Sequence, residues 1–259
     1  MSRSAGSMTG KEAFMQNIAS RLGRREPLQK APERPFIGVP DFYRDRELST
    51  NELIEEFIRN WTALSGRTLI VEEAEAPQAI AAYLKEVCAE LGITRISRWE
   101  HDRLRELSLD GPLIEAGIEV VPWREDGADH LRLAEPPTGS EGNWAKRSKL
   151  LQAAETCRLG LVWPDCAVAN TSTLALFSEG GKGRSVSLLT DTLVAVFRAD
   201  QIVTRMGEAF ALFKERYPNV QQMASSLNLI TGPSRSADIE NDLTIGIHGP
   251  GKVHAVIIR

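Results

Sequence analysis

Three stretches of this chain gather residue types able to hold a small anion. The first is GGKGRS, where Gly180, Gly181 and Gly183 are interspersed with Lys182, Arg184 and Ser185. Glycines allow backbone conformations in which successive N–H groups face one point, and two cations beside them would complete an anion cradle. The same residues also suit a hairpin turn with a cationic tip. The second is WPDCAVANTST (163–173), which places Asp165, Asn170, Thr171, Ser172 and Thr173 just after an apolar run. In open α/β sheets, ligands bind beyond the carboxyl ends of strands. A loop satisfying its own backbone through Asp, Asn and Ser side chains reads the same way. The third is ITGPSRSADIE (230–240), with Gly232, Ser234, Arg235, Ser236, Asp238 and Glu240. A Gly-Pro-Ser turn at a strand end offers free N–H groups, and Arg235 can fork a carboxylate or phosphate. Alternatively, Ser234 or Ser236 caps a short helical turn, with the two acids near its positive end.

Other chemistries find less support. Lys182 is followed by glycine, so GGKGRS is not the GxxxxGK[ST] loop of a nucleotide-binding fold. His248 and His254 would lie about 20 Å apart on one continuous strand. A hairpin at 249–252 would bring them together, but two histidines without a third ligand make a poor metal site. No metal site is expected. Cys88, Cys157 and Cys166 are widely spaced and form no CxxC, which argues against an iron–sulfur or zinc site carried by this chain alone. Scattered cysteines without a signal-like leader fit a reducing cytoplasm. The net charge of −4 argues against nucleic acid as the main partner, and no apolar run approaches a membrane span. The basic segment is residues 1–30, with six Lys or Arg against two Glu.

The elements that must position these residues are legible in outline. Phe14, Ile18 and Leu22 share one face of a helix over 11–23, stopped by Gly23, and a proline-rich tether follows. Residues 1–46 therefore form an arm, and 47–259 the body. In the body, Leu53, Ile54, Phe57, Ile58 and Trp61 predict an amphipathic helix, and RTLIVEE a strand. A second helix runs to Gly92, with strands in ITRIS and GIEVVPW. NWAKRSKLLQAAETCRLG reads as a helix leading into a buried strand, LGLVW. AEPPTGSEGN (134–143) reads as a loop. This alternation predicts an α/β domain with a mixed, mostly parallel sheet. After Trp163 the apolar runs at 173–177, 186–189 and 193–197 crowd together, so partly antiparallel strands are expected there. A helix over roughly 201–216 should precede the strand SLNLI. LTIGIHGPGKVHAVIIR should form two strands around 249–252.

The late motifs GKGRSVSLL, ITGPSRSADIE and IGIHGP, in that order, resemble the LUD-domain family, and FMQNIASRLGR resembles its N-terminal helix. The resemblance spans about residues 11–258. It implies a three-layer α/β/α fold, similar to the sugar-phosphate isomerase/CoA-transferase-like group. It also implies a part in oxidising L-lactate to pyruvate, beside two partner proteins that carry iron–sulfur clusters while this chain binds none. Arg184 and Arg235 would then grip a small carboxylate or phosphate-bearing metabolite, and Gly232, Ser234 and Ser236 would supply hydrogen bonds. His248 is a candidate to polarise or protonate a hydroxyl or carbonyl. One departure stands out: where the family has Ala-Glu-Ser/Thr-Gly-Thr, this chain has Asn170 for the acid and Ser172 for the glycine. An amide cannot form the acyl anhydride of a CoA transferase. A stand-alone enzyme for a sugar phosphate or CoA ester, or a module sensing a small acid, are the alternative readings.

Overall fold

A computed structural model describes residues 9–31, 33, 47–131, 148–237 and 243–259. The chain divides into two units, 1–46 and 47–259. In the first, α1 (Lys11–Arg21) ends before Gly23, whose φ of 70° is the left-handed conformation that closes helices. Phe14, Ile18 and Leu22 of its apolar face are exposed, while Ala19 is buried. Most of the proline-rich tether lies outside the described residues, as does 134–143.

The second unit opens with α2 (Thr50–Ala63). Ser49 and Glu52 exchange hydrogen bonds in a capping box, and Ile54, Phe57 and Trp61 are buried on one face. Then come β1 (Arg67–Val71), α3 (Ala76–Leu91) and β2 (Arg95–Trp99). Two short helices follow, α4 (Asp102–Glu106) and α5 (Asp110–Glu115), then β3 (Glu119–Trp123). After α6 (Lys149–Glu155), β4 (Leu159–Val162) is buried along its whole length, as expected of an inner parallel strand. With β7 (Thr192–Arg198) and β12 (Lys252–Ile258), these strands form a six-stranded sheet ordered β1-β12-β7-β4-β2-β3. Every pairing in it is parallel.

Helices cover both faces of this sheet. Neighbouring strand residues point to opposite faces, and Val120 and Val121 of β3 show where each leads. Val120 joins the core beneath α3 and α5 with Ile80, Leu84 and Leu113. Val121 packs instead with Ala153 of α6 and Cys157. The result is a three-layer α/β/α arrangement. Among the described residues no helix is long and apolar enough to cross a membrane.

Two adjacent strands leave the large sheet together. β4 passes through Trp163-Pro164-Asp165 into β5 (Cys166–Val168), and β7 passes through a 3-10 turn (Ala199–Gln201) into β8 (Ile202–Val203). The Gln201 side chain ties this corner, accepting from Arg198 N and donating to Pro164 O, each at 2.9 Å. β5 and β8 pair again in parallel, and β6 (Thr173–Ser178) and β9 (Ser226–Ile230) complete a four-stranded sheet by antiparallel pairing. α8 (Met206–Arg216) packs on it through Ala209 and Phe213. The helix expected from about 201 thus starts at Met206, because Ile202 and Val203 are taken into the sheet.

Several readings of the late segments are corrected. Residues 186–189 are not a strand: α7 (Arg184–Leu188) is a short helix lying on β4 so closely that a Cβ on Gly160 would stand 1.9 Å from Val186 O. The chain must return across the sheet before β7 runs parallel to β4, and this short helix suffices. The antiparallel pairs are therefore β5–β6 and β6–β9, not those of β7. The two strands expected around 249–252 are present, but not as a hairpin, since β12 enters the large sheet while β11 (Leu243–Ile245) pairs with β10 (Arg235–Ala237). The same pairing shows that residues 235–237 are strand, not the helical turn that Ser234 or Ser236 would have capped.

Candidate functional site

The second and third sequence motifs meet at one end of the small sheet. The turn between β5 and β6 is held by Asn60 of α2, whose Nδ2 donates to Ala169 O at 2.9 Å and Asn170 O at 3.1 Å. Ser172 is buried with φ 46°, a left-handed conformation that suits glycine better than serine, and its hydroxyl donates to Thr171 O at 2.8 Å. The Thr173 hydroxyl contacts those of Thr171 at 2.8 Å and Thr231 at 2.7 Å. That last contact joins ITGPSR to the Asn-Thr-Ser-Thr turn, because β9 ends beside the start of β6.

Beyond Thr231 the chain is fixed by backbone bonds more than by charge. Gly232 has φ 80° and sits against Leu64, just past the end of α2. Arg235 donates Nη2 to Leu64 O at 2.5 Å, so this exposed cation serves a helix carbonyl end. Ser234 N donates to Pro250 O at 2.9 Å, and Ser234 Oγ accepts from His248 N at 3.3 Å. Ser236 lies in β10 opposite Thr244. Asp238 and Glu240 fall outside the described residues.

Two atoms at this end are left over. Asn170 Oδ1 and Arg205 Nη1 are buried without a hydrogen-bond partner. Arg205 Nε lies 3.2 Å from Glu208 Oε1, and Glu208 Oε2 accepts from Thr204 N at 2.9 Å. Asn60, Arg205 and Glu208 carried no signal in the sequence, since each reads as an ordinary helix or loop residue.

The first motif sits at the opposite end of β6, so GGKGRS does not face ITGPSR across a shared cleft. Gly181 and Gly183 serve packing, while Gly180 takes a left-handed turn with φ 50°. A Cβ on Gly183 would stand 2.0 Å from the Trp123 ring, and Gly183 O accepts from Trp99 Nε1 at 2.8 Å. Lys182 is buried and bonded to Asp165 at 2.9 Å and Glu179 at 3.0 Å. Arg216 reaches Asp165 at 2.5 Å and also bonds Glu179, which accepts from Tyr217 OH at 2.5 Å. Burial and the bond to Glu179 push the Tyr217 hydroxyl up to about 12. Burial opposes charge on Glu179, yet bonds from Tyr217 and Lys182 hold its carboxyl below the usual range. Next to this centre His101 stacks on Trp163, ring centroids 5.9 Å apart, and its Nδ1 accepts from Arg103 N at 3.2 Å. Burial, then the charge of Lys182, lower the pKa of this imidazole below its ordinary value. Arg184 is exposed and has no ion-pair partner among the described residues, while Ser185 is half-buried.

The two late histidines are separate. His248 is exposed in an open groove with Leu188, Asp191 and Gly249. His254 is buried in the large sheet with Nδ1 2.7 Å from Tyr83 OH, and burial lowers its pKa to about 4. Among the described residues no group of three or more His, Cys, Asp or Glu side chains is placed to hold a metal.

Comparison with known proteins fits this architecture. The chain is 29% identical over 253 residues to lactate utilization protein C of Geobacillus sp. (strain WCH70), covering 98% of this chain and 97% of that one. The protein of the same name from Anoxybacillus flavithermus (strain DSM 21510 / WK1) is 31% identical, with 95% and 98% covered. That of Bacillus subtilis (strain 168) is 27% identical, with 98% of each covered. A DUF162 family protein from Deinococcus radiodurans shares the fold at TM-score 0.51 and 21% identity, over 82% of this chain and 100% of that one. The LUD domain family model matches residues 54–258, which is nearly the whole second unit, and the chain belongs to the LUD domain family.

Proposed function

We propose that this chain acts in lactate utilisation, as a cytoplasmic subunit of an iron–sulfur assembly that oxidises L-lactate to pyruvate. The observation that carries this reading is the end-to-end similarity to lactate utilization protein C from several bacteria. Oxidising lactate to pyruvate releases two electrons and two protons, so an electron acceptor must stand close by. Partners bearing iron–sulfur clusters supply it in this reading.

The cysteines support a division of labour. Cys88, Cys157 and Cys166 each lie in a different buried core, and burial pushes their thiols up to about 11, 12 and 12. Thiols held neutral and apart are poor cluster ligands. This chain's part would be to bind and position the small acid.

Deletion of the gene, in a host lacking any other lactate oxidase, abolishes growth on L-lactate; normal growth would overturn the role. Affinity purification of the full chain from native cells brings down cysteine-rich iron–sulfur proteins. Recovery of the chain without them would remove the assembly from the reading.

A further inference from the structure

The unpartnered atoms at the open end of the small sheet are of complementary type. Asn170 Oδ1 can only accept a hydrogen bond, and Arg205 Nη1 can only donate. The β5–β8 register pairs Val168 with Val203. It is carried onward by Ala169 N donating to Val203 O at 2.8 Å and Asn170 N donating to Thr204 O at 3.1 Å. Asn170 and Arg205 thereby follow neighbouring backbone paths, which strand pairing spaces about 5 Å apart. Other groups of both residues are held: Asn60 bonds the Asn170 carbonyl, and Glu208 pairs with Arg205 Nε. A buried acceptor and a buried donor on neighbouring backbone paths, neither with a hydrogen-bond partner, suit a small bridging ligand.

We propose that this pair binds a small 2-hydroxy acid. The carboxylate accepts from Arg205 Nη1, and the α-hydroxyl donates to Asn170 Oδ1. The proposal rests on the lactate reading above and assigns it a site. A simple carboxylic acid lacks the hydroxyl, and a 2-oxo acid has no proton to offer Asn170 Oδ1, so the pair discriminates among small acids of similar size. Asn170 and Arg205 are half-buried and Thr171 is exposed, which leaves the turn within reach of a solute. α8 begins directly after Arg205, and its positive end favours a carboxylate, partly offset by Glu208 in its first turn.

Titration calorimetry on the purified full-length chain tests this with L-lactate, pyruvate and propanoate. L-lactate binds, and the other two bind at least about tenfold more weakly. Arg205→Gln and Asn170→Leu each lower L-lactate affinity by about tenfold or more, with the circular dichroism spectrum unchanged. No L-lactate binding by the parent chain, or unaltered affinity in both variants, overturns the proposal. A double variant, Asn170→Leu with Arg205→Met, that melts higher and still binds L-lactate would make the pair a hydrated seam only. Growth separates this site from the role. If deletion abolishes growth on lactate but both single variants restore it fully, the site fails and the role stands. If the deletion strain grows normally while the chain binds L-lactate through this pair, the site stands and the role fails.

Discussion

The two ends of β6 handle polar groups in opposite ways. At the Ser178 end, Asp165, Lys182, Glu179, Arg216 and Tyr217 bond one another, and the two acids balance the two cations. At the Thr173 end the hydroxyls of Thr171, Thr173 and Thr231 are linked, yet Asn170 Oδ1 and Arg205 Nη1 face no partner. A closed network leaves nothing to offer a ligand, so it serves the corner where two strands change sheets. An end with an empty donor and acceptor has binding capacity. The glycine loop that looked most like an anion cradle therefore belongs to the closed end, and the plainer Asn-Thr-Ser-Thr turn to the open one.

This contrast can be broken in four ways. The largest effect is expected from Lys182→Met, which leaves Asp165 and Glu179 short of a cation in a buried setting. Loss of about 3 kcal/mol in urea unfolding is expected, and a change below about 0.5 kcal/mol would mean the network is not structural. Next is acid. His254 has its folded pKa lowered to about 4, below the ordinary value of 6.5. The unfolded chain therefore binds the proton first, and stability falls as pH drops from 6.5 towards 4, by up to about 3 kcal/mol. His254→Gln should flatten that part of the curve relative to the parent; parallel curves would assign the slope to other groups.

Arg235→Ala should cost about 1 kcal/mol, the worth of its bond to Leu64 O, and raise hydrogen exchange in β10 and β11. Unchanged exchange would show that the hairpin does not depend on that contact. The smallest effect is Ser172→Gly, which relieves the left-handed backbone but gives up the hydroxyl bond to Thr171. A gain of about 0.5 kcal/mol in thermal melting is expected, and a loss would rank the hydroxyl above the strain.

Much of the framework was legible in residue spacing. Ile54, Phe57 and Trp61 recur at helical intervals and are buried together, and Gly92 closes the following helix with φ 61°. Leu159–Val162 reads as a fully buried strand and is one. The run at 186–189 failed because a short apolar segment carries no periodicity that separates strand from helix. Two strands do flank 249–252, but they do not pair as a hairpin because partners are chosen in space: Lys252–Ile258 found β1 and β7, distant in sequence, rather than the strand just before it. In the candidate site, Asn170, Thr173 and Arg235 were picked out by type, but their partners Arg205, Thr231 and Leu64 were not.

Local chemistry in the sequence determined the helices, the parallel character of the sheet, the left-handed glycines and the polar turn after Trp163. Periodicity, branching and backbone freedom act over a few residues, so they are written there directly. Tertiary structure decided which charges are consumed and which stay open. Whether Lys182 is left for a bound anion or meets Asp165, and whether Asn170 and Arg205 follow neighbouring paths, depends on β4 and β7 leaving one sheet together and pairing again in another. No spacing along the chain encodes that corner, because it comes from the pairing of residues 33 to 35 positions apart, such as Leu159 with Thr192 and Ala167 with Ile202.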